Sequence, residues 1–165
     1  MRKALISSTK TLKNISLYFV MVLGFVMLII AIAHVVFRYA VGQSLRWSEE
    51  FLKIALVWFC LISASLISHE RAHLGIVIFR EKMPVEIQWI LERLVSLLII
   101  GISIVVTIIG VRLMISSSRQ FTPALGLPYS VGYSSIPVSF VLMGIYEIRN
   151  LYIDIMDKIE QRKKS

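Results

Sequence analysis

The chain has 165 residues, of which 57% are hydrophobic and 17% are charged. A soluble domain of this size needs more charged surface than that, so the composition excludes one and favours a membrane-spanning protein. The single cysteine, Cys60, excludes an intrachain disulfide.

Four apolar runs predict four transmembrane helices, because about 20 apolar residues cross a bilayer as a helix. We place these spans at about residues 15–37, 48–68, 87–114 and 131–151. Together they predict an all-α integral membrane protein in which a single four-helix domain covers residues 1–165. Residues 1–14 form a basic lead that we expect to be frayed. The first run exceeds the roughly 7–15 apolar residues of a secretion signal, which favours a retained span.

The connections between the spans have different compositions. Residues 70–83 hold a short apolar stretch between basic residues, which is too short to cross a bilayer. This composition predicts an amphipathic segment in the membrane interface between the second and third spans. The connection between the third and fourth spans contains Pro123, Gly126 and Pro128, residues that are typical of turns.

The distribution of positive charge predicts the orientation in the membrane. If the N-terminus is cytoplasmic, only five of the 18 lysines and arginines lie on the outer side: Arg38, Arg46, Lys53, Arg112 and Arg119. The positive-inside rule therefore predicts that both termini are cytoplasmic. The same bias explains the net charge of +8 without a nucleic-acid partner.

A polar run opens the second span. On a helix, Arg46 and Glu50, and likewise Glu49 and Lys53, are four residues apart and are placed to form ion pairs. Adjacent carboxylates between cations favour a structural lattice over acid–base catalysis. Two alternatives remain open for Arg38: it anchors in the headgroups, or it pairs with Glu49 or Glu50.

His69-Glu70-Arg71-Ala72-His73 has the spacing of a zinc-protease motif, with two imidazoles one helical turn apart and a glutamate as general base. A catalytic zinc ion needs a third protein ligand. His34, the remaining histidine, is predicted at the opposite membrane face. A membrane zinc protease is therefore a remote alternative, and an interfacial segment is favoured.

A second alternative is a stand-alone four-helix transporter coupled to an ion. Such a protein needs an ionisable group within the membrane. Glu147 is the best candidate, although it lies near the predicted inner boundary. A structural partner such as Arg93 is the favoured interpretation of this carboxylate.

Several of these residues resemble a known family. Arg38-Tyr39, the run from Ser44 to Glu50, Trp58 and His73 are similar to the small membrane subunit, of DctQ type, of tripartite ATP-independent periplasmic (TRAP) transporters. The segment from Pro123 to Pro128 and the pair Ile136-Pro137 are similar as well. The resemblance covers residues 37–144, most of the chain. It departs from the family at Val77, where an acidic residue is common.

The resemblance implies a non-catalytic subunit without a cofactor in the bacterial inner membrane. It would be the fixed scaffold of a larger, elevator-type membrane subunit that holds the substrate and sodium sites. A periplasmic binding protein would deliver an organic acid, such as sialic acid or a dicarboxylate. The expected partners are therefore the large subunit, the binding protein and membrane lipids.

The resemblance also implies two sets of contact residues. The scaffold interface would include Arg38, Arg46, Trp47, Glu49, Glu50, Trp58 and His73. The contacts at the periplasmic face would include Arg112, Arg119, Pro123 and Tyr129.

Overall fold

The computed structural model describes residues 2–42, 45–69 and 85–164, and these residues confirm the predicted all-α membrane fold. The elements are α1 (Arg2–Val36), a π-helical turn (Phe37–Val41), α2 (Arg46–His69), α3 (Val85–Ser116), α4 (Ser130–Tyr133) and α5 (Ser135–Lys164). Four segments are long and apolar enough to cross a membrane: Ser8–Ala40, Arg46–Ser68, Arg93–Ser116 and Ser130–Met156. The predicted interfacial segment 70–83 lies outside the described residues.

Helix α1 begins earlier than the sequence suggested. Residues 2–14, expected to be frayed, continue the helix of the first span. Thr9 and Ser16 are only 4% and 6% exposed. The Tyr146 hydroxyl of α5 lies close to the Ser16 side chain. Thr9 and Ser16 are therefore covered by the rest of the chain, which a pattern of hydrophobic residues alone does not reveal.

The first span ends in the π-helical turn Phe37–Val41, and Gly42 follows it with a φ of +73°. A left-handed residue after the last turn is a common way to end a helix, and glycine adopts this conformation without steric cost. The described chain resumes at Leu45, and α2 begins at Arg46.

The long helices lie in the spatial order α1, α2, α5, α3. Helix α5 packs against both α2 and α3, whereas α1 packs mainly against α2. Glycines permit close approach in this arrangement. A Cβ atom at Gly110 of α3 would lie 2.9 Å from Ile136 Cγ2 and 3.0 Å from Pro137 Cδ. Small residues at helix contacts are typical of membrane proteins, in which close packing brings helices together.

The buried and exposed residues are distributed as expected for a protein in lipid. Many large apolar side chains on α1 and α3 point outward, among them Phe25 at 65% exposed and Leu97 at 58%. Serines such as Ser48, Ser65 and Ser68 are fully buried. Acyl chains can cover the outward apolar surface. The hydroxyls of these three serines donate to Leu45, Ile62 and Glu147 inside the protein.

Candidate functional site at the two ends of the helices

The polar contacts of the described residues concentrate at the two ends of the helices. We call the end with the connections 37–45 and 117–129 the hairpin end. We call the end with both chain termini and the last turn of α2 the terminal end. The sequence between the ends is uncharged over residues 15–33, 54–68, 94–111 and 120–146.

At the hairpin end, His34 of α1 is joined to the start of α2. The Ser48 hydroxyl donates to the Leu45 carbonyl at 2.7 Å. Because this bond uses the only hydroxyl proton, the 2.7 Å contact between Ser48 Oγ and His34 Nδ1 requires that Nδ1 carries a proton and donates. His34 Nε2 then faces Glu49 Oε1 at 3.7 Å. The connection between the first two spans is thus fixed by a histidine that the sequence suggested only as an interfacial group.

The carboxylate of Glu50 binds backbone amides of the connection between α3 and α4. The Ala124 N–H lies 3.1 Å from both Glu50 oxygens, and the Leu125 N–H donates to Glu50 Oε2 at 2.9 Å. Hydrogen bonds from N–H groups to an ionised carboxylate are stronger than neutral ones. Glu50 therefore ties the first turn of α2 to a segment about 75 residues later in the chain.

The segment that Glu50 holds is a compact hairpin of residues 120–129. The Thr122 N–H donates to the Leu127 carbonyl at 2.8 Å, and the Tyr129 N–H donates to the Gln120 carbonyl at 2.9 Å. The Leu127 N–H donates to Thr122 Oγ1 at 3.1 Å. Gly126 has a φ of +65°, which closes the turn. The turn composition seen in the sequence thus corresponds to an ordered hairpin.

The predicted ion pairs around Glu49 and Glu50 are absent from the part of the chain that the structure describes. Arg38, Arg46 and Lys53 are exposed there and join no ion pair with either carboxylate. The Glu50 carboxylate is held by backbone amides, and Glu49 approaches His34. Neither the helical pairs nor the Arg38 pair is formed, since hairpin amides from a distant part of the chain satisfy Glu50.

Trp58 makes its contacts within the chain. Its indole N–H donates to the Val131 carbonyl of α4 at 3.0 Å. Its ring meets the ring of Phe19 of α1 edge-on, with 5.8 Å between the centroids. Trp58 therefore joins α1, α2 and α4, whereas Trp47 remains 42% exposed and available to a neighbour.

The residues expected at the periplasmic face all lie on the surface of the hairpin end. Tyr129 is 38% exposed and stacks on Tyr133 with 6.5 Å between ring centroids. Phe121, which the sequence reasoning did not select, is 63% exposed at the base of the hairpin. The exposed residues of the predicted set are Arg112, Arg119, Pro123 and Tyr129. His73 of the predicted scaffold interface lies outside the described residues.

At the terminal end, α5 binds the last turn of α2. The Ser68 hydroxyl donates to Glu147 Oε1 at 2.7 Å, and Asn150 Nδ2 donates to the Ser68 carbonyl at 3.0 Å. Ser68, Glu147 and Asn150 are at most 3% exposed. The last carbonyls of a helix lack partners within it, so Asn150 satisfies one of them. We call Ser68, Glu147 and Asn150 the terminal cluster.

Arg93 connects α3 to α5 one turn beyond the terminal cluster. Its Nη1 donates to the Leu151 carbonyl at 3.1 Å and lies 3.6 Å from Asp154 Oδ2. The arginine side chain is 13% exposed, so this pair is largely screened from water. The sequence suggested Arg93 as a partner for Glu147. The contacts described here place it against Leu151 and Asp154.

The zinc-protease motif receives no support from the described residues. Glu70 and His73 lie outside them. Within residues 2–42, 45–69 and 85–164, no group of three or more His, Cys, Asp or Glu side chains is arranged to hold a metal ion.

The contacts that sequence reasoning missed join distant segments. His34 to Ser48, Glu50 to Ala124, and Ser68 to Glu147 each pair a polar side chain near the end of one span with a group on another element. The available signal was their shared placement at span ends. That placement predicts an edge location, but it does not identify partners.

Four spans with polar contacts at both ends define an all-α, multi-pass membrane protein. Residues 27–156 match the family described as tripartite ATP-independent periplasmic transporters, DctQ component, and the chain belongs to this family. The suspected resemblance is confirmed. DctQ components are transport subunits, so the chain is a transport component and not an enzyme.

A curated relative is the isethionate TRAP transporter permease protein DctMQ of Oleidesulfovibrio alaskensis. The two sequences are 27% identical over 108 residues, which is 64% of this chain and 17% of the relative. The chain therefore spans about a sixth of the length of the curated relative that it matches.

Proposed function

We propose that this chain is the scaffold of a larger membrane subunit that carries out sodium-driven uptake of an organic acid. The observation that carries the proposal is the uncharged middle of all four spans, together with the intrachain contacts of Glu50 and Glu147 at their ends. A protein that moves an ion or an organic anion by itself needs polar groups along its path. A scaffold needs only an apolar surface and fixed ends.

The proposed principal partner is a DctM-type large subunit. The relative's name joins DctM and DctQ in one permease protein, and this chain matches only 17% of that protein. The remaining length is available to a large subunit in the same polypeptide. We infer that the substrate and sodium sites belong to that partner and that this chain itself needs no cofactor.

The proposed location is the bacterial inner membrane, with both termini cytoplasmic and the hairpin end in the periplasm. The lysine and arginine bias supports this orientation. Exposed Trp47, Arg38 and Arg46 then lie at the outer interface, where an indole and guanidinium groups suit a partner helix or lipid headgroups. Arg112, Arg119, Pro123 and Tyr129 face the periplasm, where the binding protein arrives.

Orientation is testable with single cysteines in a Cys60→Ser background. A cysteine at Ser118, an exposed position of the hairpin end, should react with a membrane-impermeant maleimide in intact spheroplasts. A cysteine at Ser165 should react only after permeabilisation. The reverse pattern would overturn the proposed topology.

The stand-alone transporter remains the competing hypothesis, and it depends on Glu147. The contacts with Ser68 and α5 favour a structural carboxylate there. Reconstitution separates the two hypotheses. This chain, a DctM-type large subunit, and the two together are placed in separate proteoliposomes with a sodium gradient and a periplasmic binding protein outside.

The uptake assay uses labelled isethionate, succinate and sialic acid as probes. Uptake by the pair, co-purification of the two chains and no uptake by this chain alone are expected. Sodium- or proton-driven uptake by this chain alone would refute the scaffold role. Full uptake by the large protein alone would show that the scaffold is dispensable.

A further inference from the structure

We propose that Glu50 is a positioning residue that holds the 120–129 hairpin in the shape in which it docks a soluble delivery protein. This inference rests on the proposed function, because it assumes that the hairpin end meets a periplasmic binding protein. The 120–129 hairpin is then the surface that contacts the binding protein, and Glu50 is the side chain that sets the conformation of this surface.

The Glu50 carboxylate acts on the backbone of the hairpin rather than on its side chains. Both of its oxygens receive amides from consecutive residues, Ala124 and Leu125, at 2.9–3.1 Å. The opposite part of the same turn is closed by Thr122 and by Gly126 with its positive φ. The hairpin is thus restrained on two sides, and Glu50 is its link to a membrane-spanning helix.

The restrained hairpin presents apolar groups that a soluble partner can bury. Phe121 is 63% exposed, and Leu127 and Tyr129 are 39% and 38% exposed. The hairpin lies between the spans Arg93–Ser116 and Ser130–Met156 in the sequence, so it belongs to neither of them. An aromatic side chain on a rigid turn is a typical anchor in a protein interface, because little conformational freedom is lost when it binds.

The charge of the hairpin end indicates the chemistry of the partner. Five cations are exposed at this end: Arg38, Arg46, Lys53, Arg112 and Arg119. The two carboxylates of this end, Glu49 and Glu50, approach His34 and the hairpin amides. The hairpin end therefore combines exposed cations with the exposed apolar side chains of the hairpin. It fits a soluble protein whose docking face has an acidic rim and an apolar recess.

Charge and positioning predict opposite effects of removing Glu50. If the carboxylate acted only through its charge, Glu50→Ala would make the surface more cationic and would strengthen binding of an acidic partner. If it positions the hairpin, the same change weakens binding. Glu49→Ala is the matched control, because it removes the same charge from the adjacent residue and leaves the hairpin contacts in place.

The experiment uses the complex of this chain with its large subunit, in nanodiscs, and an immobilised periplasmic binding protein of the same transporter. Glu50→Ala should weaken binding by about three- to tenfold, whereas Glu49→Ala should leave it equal or slightly tighter. Amide exchange at Ala124 and Leu125 should accelerate in Glu50→Ala alone. Phe121→Ser should weaken binding by a similar factor without accelerating that exchange.

Several outcomes would overturn the proposal. Unchanged binding in both Glu50→Ala and Phe121→Ser would remove the hairpin from the docking surface. If Glu50→Ala and Phe121→Ser no longer co-purify with the large subunit, the hairpin belongs to the interface with that subunit instead. Equal weakening by Glu49→Ala would show that the hairpin contact of Glu50 is not what supports binding, and it would also refute the acidic partner, because loss of a negative charge should not weaken binding to one. Failure of the wild-type chain to co-purify with the large protein would refute the proposed function itself, whatever the variants do.

Discussion

Replacing Ser68 with alanine tests whether the terminal cluster stabilises the packing of α2 on α5. The Ser68 hydroxyl donates to Glu147 at 2.7 Å, and both residues are at most 3% exposed. A hydrogen bond to a charged group contributes about 1.5–3 kcal/mol in soluble proteins. Interhelical side-chain pairs in membranes average about 0.6 kcal/mol and reach about 1.7 kcal/mol. Complete burial places this pair near the upper end, so Ser68→Ala should cost about 1–2 kcal/mol.

Ser65→Ala is the matched control for this prediction. Ser65 is equally buried and lies one turn earlier in α2, but its hydroxyl donates to the Ile62 carbonyl of its own helix. Losing such a local bond costs little, because serine competes with the helix backbone and alanine is a better helix former. Ser65→Ala should therefore change the unfolding free energy by at most about 0.5 kcal/mol.

The assay is reversible unfolding in detergent, followed by tryptophan fluorescence, for Ser68→Ala, Glu147→Gln and the double variant. A coupling energy of about 0.5 kcal/mol or more between the two substitutions is expected, since both act on the same hydrogen bond: Ser68→Ala removes its donor, and Glu147→Gln replaces its carboxyl acceptor with an amide oxygen. A coupling energy below about 0.3 kcal/mol, or equal costs for Ser68→Ala and Ser65→Ala, would refute the reasoning.

Glu147→Gln also distinguishes the two hypotheses for transport. The amide oxygen of glutamine still accepts a hydrogen bond from Ser68 but does not take up a proton. A structural role predicts that uptake by the assembled transporter is retained. Loss of uptake with intact assembly would instead indicate that Glu147 takes part in coupling.

Four further substitutions test the packing and the hairpin. Gly110→Ala should destabilise the protein by about 1–2 kcal/mol through overpacking against α5. Gly101→Ala, with no atom within 4 Å of its added Cβ, should instead be neutral or stabilising by up to about 1 kcal/mol. Thermal unfolding in detergent measures both effects. Trp58→Phe should cost about 1 kcal/mol in the same assay, because it removes the hydrogen bond to Val131 and keeps an aromatic ring. Gly126→Ala should strain the hairpin by about 1–2 kcal/mol and accelerate its amide exchange, because φ is +65° there. Equal costs for Gly110→Ala and Gly101→Ala would contradict the close packing at Gly110. An unchanged stability of Trp58→Phe would contradict the bond to Val131, and an unaltered amide exchange rate in Gly126→Ala would contradict the turn at Gly126.

The amino-acid sequence by itself determined the membrane fold. Transfer of charge into hydrocarbon is costly, and a lipid-exposed backbone must satisfy its own hydrogen bonds. Uncharged runs such as residues 15–33 and 94–111 therefore predict spanning helices without any knowledge of their neighbours. The turn composition around Pro123 and Gly126 likewise located the hairpin, since backbone geometry restricts which residues occur there.

Only the tertiary structure decided which polar groups meet. Glu50 appeared from its spacing to be a partner for Arg46, but a surface ion pair on a helix contributes little compared with two backbone amides that need acceptors. Glu147 receives the Ser68 hydroxyl, a partner that its spacing along the chain does not indicate. Spacing along the chain reports local geometry, whereas these contacts join segments 74 to 82 residues apart, and only the packing of the helices brings them together.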